Sequence, residues 1–233
     1  MTRVGPVEIV LTHLTRMHDG HICIAGLDRT SGRHIRPVTG ARIPRSYLDR
    51  PGGKIQIGSI LRFTAMTPVP SAPEVEDHQF READSDVIGQ VSDHDLWTIL
   101  EAAESPDLMT IFGPSFHRAG RTWALDEGEG SASLGVVRAR ERHGPTIDAY
   151  GKVRLVFRGN DGELLNIPVT DLRLFRADDG TPDRAAVLEL KREVDRGDVL
   201  LAVGVGRAWA PDGEKRLHWL QVNNIHVEPA PTR

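Results

Sequence analysis

Apolar residues in this chain fall mostly in short runs and strict alternations, the pattern of strands rather than of long helices. Val7-Glu-Ile-Val-Leu11 and His21-Ile-Cys-Ile-Ala-Gly26 are the first two such runs. Gly26 sits where a bulge or a close backbone approach is expected. Asp28-Arg-Thr-Ser-Gly32 has turn composition, and His34-Ile-Arg-Pro-Val38 resumes as a strand that Pro37 confines to an edge or an end. One helical turn is expected over 42–48, then a strand over 58–66. Residues 67–81, with Pro68, Pro70 and Pro73, read as a linker or rim loop. Ser92 followed by Asp95 forms a capping signal for a helix whose stripe is Leu96, Ile99, Leu100 and Ala103. Residues 113–131 read as exposed loop, and Leu134-Gly-Val-Val-Arg138 as the strand closing a first unit.

The second half opens on a hairpin. Val153-Arg-Leu-Val-Phe157 and Leu164-Leu-Asn-Ile-Pro-Val169 flank Asn160-Asp-Gly162, a strong turn signal. A helix follows, with Pro182 suited to its first position, Ala186, Val187, Leu190 and Val194 on one face, and Gly197 at its end. Strands over 199–205 and 217–222 then surround the turn Ala210-Pro-Asp-Gly213. The expected fold class is mainly β with a few helices: two small OB-like barrels in tandem, 1–142 with an acidic helical insert and 143–233 with one capping helix.

Charge sharpens this picture because it is uneven. Residues 1–66 hold ten Lys/Arg against four acids (+6), 67–130 hold three against fourteen (-11), and the rest carries +1, for a net -4. Bulk charge is therefore not what would attract a polyanion, but one face could. The single Cys23 excludes an internal disulfide and, on an apolar strand, reads as packing. No apolar run approaches the ~20 residues of a membrane helix, and the first residues lack a signal peptide's apolar core, so the expected compartment is the cytoplasm.

Enzyme constellations do not emerge. The ten histidines make no zinc motif, Gly204-Val-Gly206 lacks the third glycine of a dinucleotide loop, and no phosphate loop or nucleophile elbow occurs. Acids such as Glu74, Glu76, Asp77, Asp84 and Asp86 read as a solvated loop rather than a metal site. No cofactor, metal or catalytic residue is assigned, and a metal-dependent nuclease is the third-ranked alternative.

Several motifs together resemble the dual OB-fold nucleic-acid-binding domain family. Ile9-Val-Leu-Thr-His-Leu-Thr-Arg-Met-His-Asp-Gly-His-Ile-Cys-Ile-Ala-Gly26 followed by Arg33-His-Ile-Arg-Pro-Val38 is similar to its opening, with His34 where the family carries an aromatic. Pro73-Glu-Val-Glu-Asp-His-Gln-Phe80, Asn166-Ile-Pro-Val-Thr-Asp171, Gly204-Val-Gly-Arg-Ala-Trp209 and His218-Trp-Leu-Gln-Val-Asn-Asn-Ile225 resemble later elements, so the likeness runs from Glu8 to Val227. It implies DNA or RNA binding, often in bacterial defence or DNA-processing systems. The alternative, resting on the acidic middle rather than on the resemblance, is an adaptor whose barrels bind a protein effector.

The expected contacts are Arg16, His18, Arg33, Arg36, Arg42 and Arg45 around the first barrel, and Arg207, Trp209, Lys215 and Arg216 on the second. Arg offers a planar fork matched to phosphate, and an exposed aromatic can stack a base. For Arg36 a structural role, bracing the barrel through an acid or a carbonyl, is an equal alternative. Trp219 is expected in the core and Trp209 outside it. Cys23, Gly26, Pro37, Thr170 and Asp171 are motif residues with structural roles, the last two as turn caps, with a catalytic or metal carboxylate as the alternative for Asp171.

Overall fold

Alternation in the first run, with Val7, Ile9 and Leu11 on one side, builds strand β1 (Val7–Arg16). A computed structural model describes residues 4–230 except 51–52, 121, 160–161, 212 and 214. β1 pairs antiparallel with β2 (His21–Asp28) and with β4 (Ser59–Phe63), and β2 pairs with β3 (His34–Val38). The next two strands, β5 (Asp77–Gln79) and β6 (Ser85–Gln90), are separated only by residues 80–84. Yet β5 pairs parallel with β3 and β6 antiparallel with β4, at opposite ends of the sheet. That short connection curls the sheet into a barrel. Inside it lie Ile9, Leu11, Ile22, Ile24, Leu61, Phe63 and their neighbours.

The second barrel repeats the plan. β9 (Leu134–Arg138) runs on through Ala139 into β10 (Arg140–Ile147). β9 pairs with β13 (Val199–Val205), and β10 pairs with β11 (Val153–Arg158), so one bent strand serves both sides. β11 pairs with β12 (Leu164–Pro168), and β13 pairs with β14 (Leu217–Val227). A parallel bridge from Val169 to Val222 closes the ring between β12 and β14. Both units are thus partly open OB-like barrels.

Three local expectations are corrected. Leu134–Arg138 does not close the first barrel; it opens the second, because β13 offers its apolar edge there. Within 113–131, β7 (His117–Ala119) and β8 (Thr122–Asp126) form strands, and β8 pairs with β14. Within 67–81 the three polar residues of β5 form the closing strand of the first barrel, which hydropathy alone does not mark. The turn residues Asn160, Asp161 and Asp212 lie outside the described residues, although Arg158 and Leu164 pair across the first of these turns.

Helix α1 (Asp93–Ala102) begins as its capping signal predicts: Ser92 Oγ accepts from the Asp95 amide at 3.1 Å. Its Leu96, Trp97 and Leu100 wedge between the barrels against Val10, Val136 and Leu200. A short helix α2 (Leu108–Phe112) follows. Helix α3 (Arg184–Val194) starts two residues after Pro182, because the Asp183 carboxylate accepts from the amides of Ala185 and Ala186 and so takes the cap position. Its Val187, Leu190 and Val194 join the core of the second barrel.

Gly26 occupies the close approach expected of it. A Cβ there would overlap the Val10 carbonyl and crowd the Leu11 Cα at 3.2 Å. Both neighbours are backbone, so β1 itself must move. Gly26→Ala is therefore expected to cost about 1–3 kcal/mol, in the range of core overpacking. A urea midpoint unchanged from wild type would show that the β1–β2 bulge between Leu11 and His13 absorbs the methyl group.

Candidate nucleic-acid interface

In a barrel of this kind the outer face of the second and third strands, with the loops joining strands 1–2 and 4–5, receives extended ligands. The two barrels treat that face in opposite ways. In the first it is covered. Alternation places Ile22 and Ile24 in the core, so Cys23, Ala25 and Leu27 of β2 point outward beside His13, His34 and Arg36. The second barrel seals this face: Asn224 Oδ1 accepts from the Leu14 amide at 2.6 Å, and His226 Nε2 donates to the Thr12 carbonyl at 3.0 Å.

Arg36 accordingly takes the bracing role. It is 6 % exposed, and its Nε donates to Asp77 Oδ1 at 2.6 Å. The other Asp77 oxygen accepts from Arg207, which also reaches Glu74 at 3.2 Å from the loop joining β13 and β14. Glu76 accepts from the Ser133 amide and hydroxyl, both at 2.8 Å, and from the Leu134 amide at 3.1 Å. Of the acids read from sequence as a solvated loop, Glu74, Glu76 and Asp77 are therefore buried, each 5–6 % exposed, and are satisfied by Arg36 within the barrel and by cations and amides across the seam, whereas Asp86 is exposed as expected. Among the described residues no group of His, Cys, Asp and Glu is arranged to hold a metal ion.

The remaining expected contacts fall into separate groups. Arg16, His18, Arg42 and Arg45 gather at one end of the first barrel. Arg16 lies over the Phe175 ring at 4.9 Å, Arg42 meets Asp19 at 3.3 Å, and Arg45 donates to the Arg176 carbonyl at 3.3 Å. His18 is exposed in the 3₁₀ turn His18–Gly20. Arg33 stands apart, exposed at the β2–β3 turn. On the loop joining β13 and β14, Lys215 pairs with Asp126 at 2.5 Å and Arg216 with Glu127 at 2.8 Å, so acids offset the cations there. Trp209 is 55 % exposed on the same loop, while Trp219 is half-buried and donates to the Trp209 carbonyl at 3.2 Å.

The motif residues have structural places. Cys23 is half-buried at the seam, where burial pushes its thiol up from the usual range. Pro37 pairs in register with His78. Asp171, fully buried, caps the turn Leu172–Leu174 by accepting from the Arg173 amide at 3.1 Å; its other oxygen takes the Ile225 amide at 3.2 Å and the Arg173 guanidinium at 2.6 Å. The Thr170 carbonyl accepts from the Arg16 amide at 2.8 Å, joining the barrels at this point.

The second barrel leaves the corresponding face open. Val153, Leu155 and Phe157 point into its core, so Arg154, Val156 and Arg158 point out. Arg140 of β10 sits directly opposite Arg158 in register, and Arg154 lies opposite Thr146. Two like charges face to face are unfavourable without a counter-charge. Glu141 pairs with Arg158 at 2.6 Å and offsets one of them. Arg154 is pinned by neutral partners, the Asn166 side chain at 2.7 Å and its carbonyl at 2.6 Å, so its charge remains available. Over 140–158 five Lys/Arg face two acids. At the far end, the turn joining β10 and β11 carries Lys152 and Tyr150, the latter 88 % exposed. Sequence reasoning marked the β11–β12 hairpin for its turn, made no reading of the β10–β11 turn, and missed the charges on the outer face of β11. The signal was the alternation of 153–158, which puts both arginines opposite the apolar set.

The profile of the dual OB-containing domain matches residues 7–225. No curated protein sequence matches the chain. Among solved structures, a murine DNA-binding protein bound with double-stranded DNA superposes at a TM-score of 0.34 with 9 % identity, covering 99 % of this chain and 100 % of that one. A superposition that loose transfers nothing about the site. Among the described residues no helix is long and apolar enough to cross a membrane.

Proposed function

The chain belongs to the dual OB-containing domain family, and from that premise we propose that it binds nucleic acid, DNA or RNA, along the open strand face of its second barrel. The observation that carries this reading is the outward row of Arg140, Arg154 and Arg158 beside Lys152, on the face that such barrels use for extended ligands. The opposed Arg140 and Arg158 would gain most from a phosphate laid between them. From Arg154 the track passes Pro168, its register partner, to Thr170 and the Arg16 amide bonded to it. Arg16, Arg42 and Arg45 then extend the contact onto the first barrel. Residues 91–133 serve as the connector between two barrels in this reading. Phosphate contacts dominate, so sequence preference is modest.

Fluorescence anisotropy with labelled single strands and duplexes of DNA and RNA, over a salt series, tests this. Each phosphate contact adds about 0.7 to the slope of log affinity against log salt for a single strand. Arg154→Ala/Arg158→Ala is therefore expected to weaken binding at low salt and to flatten the slope by about 1.4. Wild type that binds none of the four ligands at low salt would overturn the proposal.

A further inference from the structure

The turn between β10 and β11 is built rigidly around a side chain that packs on almost nothing. Asp148 Oδ1 accepts from the amides of Tyr150 and Lys152, both at 2.9 Å. The Asp148 amide donates to the Lys152 carbonyl at 2.9 Å, and the Gly151 amide to the Asp148 carbonyl at 3.0 Å. Gly151 supplies the left-handed φ of 73° that this closure requires. The two amides hold the Asp148 carboxyl below the usual carboxylate range, Lys152 most strongly. Four hydrogen bonds thus fix a turn whose tip, Tyr150, is 88 % exposed, the most exposed of the large hydrophobic side chains described. A ring held in water contributes little to the core, whereas a ring on a preordered loop loses little entropy when something lands on it.

The surroundings say what would land. Lys152 follows two residues later, and Arg154 starts the outward row on the adjoining strand. An aromatic face beside cations fits a base whose phosphates those cations hold. Base faces inside a duplex are covered by their neighbours, so only an unpaired base can stack on the ring. We propose that Tyr150 is the stacking platform of this interface and that the preferred ligand is single-stranded nucleic acid. This rests on the nucleic-acid reading of the same face.

The test compares labelled oligodeoxythymidine and oligouridine with an abasic strand of equal length, which keeps the phosphates and removes the bases. Wild type is expected to prefer the better of the two base-bearing strands over the abasic one by roughly 5- to 150-fold, the equivalent of ~1–3 kcal/mol for one stacked base. Tyr150→Ala should remove most of that preference without changing the salt slope, and Tyr150→Trp should retain it. Arg154→Ala/Arg158→Ala should weaken base-bearing and abasic strands alike. Salt-dependent binding with no base preference, or a preference untouched in Tyr150→Ala, overturns the platform and leaves the nucleic-acid reading standing. Absence of binding by wild type overturns both.

Discussion

Asp77→Ala is expected to destabilise the protein by about 3–5 kcal/mol, the cost of leaving a buried charge without its partner. The charge is that of Arg36, whose Nε donates to Asp77 and whose Nη2 has no hydrogen-bond partner among the described residues. Removing the carboxylate also takes from Arg207 one of the two acids by which it joins the β13–β14 loop to the first barrel, leaving Glu74. For a chain of this size each kcal/mol moves the melting midpoint by about 2–4 °C, so a fall of roughly 6–20 °C should be seen. The pair itself need not be net stabilising. With one guanidinium nitrogen unsatisfied, its desolvation is incompletely offset, and an apolar pair of similar volume can do as well. Arg36→Met/Asp77→Leu should therefore recover most of the loss. Urea denaturation of wild type, single and double variants decides the matter. A loss below about 1 kcal/mol in Asp77→Ala would match an exposed ion pair and mean that water reaches Arg36 at the seam.

Local periodicity made much of both barrels legible. Val153, Leu155 and Phe157 alternate with Arg154, Val156 and Arg158 and lie in the core that this period predicts, and the apolar run holding Ile22 and Ile24 forms a strand as its composition predicts. Ser92 caps α1 as its hydroxyl and the acid three residues on require. What stayed hidden depends on distant partners. Asp77–Gln79 is a strand only because β3, about 40 residues earlier in sequence, offers it a parallel edge, and three polar residues carry no period of their own. Leu134–Arg138 reads correctly as a strand, but nothing local says that its partner is β13. For the site the same limit applies twice over. Arg36 and Arg154 are both arginines on outward strand faces, yet the second barrel covers one and leaves the other open. Glu74, Glu76 and Asp77 look solvated in a proline-rich segment because their partners are distant in sequence: Arg207 for Glu74, the Ser133 and Leu134 amides for Glu76, and Arg36 and Arg207 for Asp77. The motif resemblance, by contrast, identified the family because it spans both barrels at once.

Stability should also fall as the pH drops below about 6.5, before most carboxylates titrate. His13 of β1, His34 of β3 and His226 of β14 all lie at the seam, where burial is the leading cause that holds each ring neutral. His226 and His34 are pushed down to about 4, and His13 is lowered in the same direction. Above the unfolded-state value of about 6.5 these rings are neutral in both states, and the folded protein has its full stability. As the pH falls below it, the unfolded chain takes up protons that the folded one refuses, so the balance moves toward unfolding until the folded value is reached. His226 alone then contributes a loss of about 2 kcal/mol by pH 5 and about 3 by pH 4. The interval from 6.5 to 5 is the diagnostic one, because loss of carboxylate pairs adds to the slope lower down. His226→Asn removes the titration, so it should be less stable than wild type at pH 7.5 but show a shallower decline from 6.5 to 5. Urea denaturation across that interval measures both. A wild-type stability that stays level down to pH 5 would mean that the three rings accept protons in the folded state, which requires water to enter between the barrels.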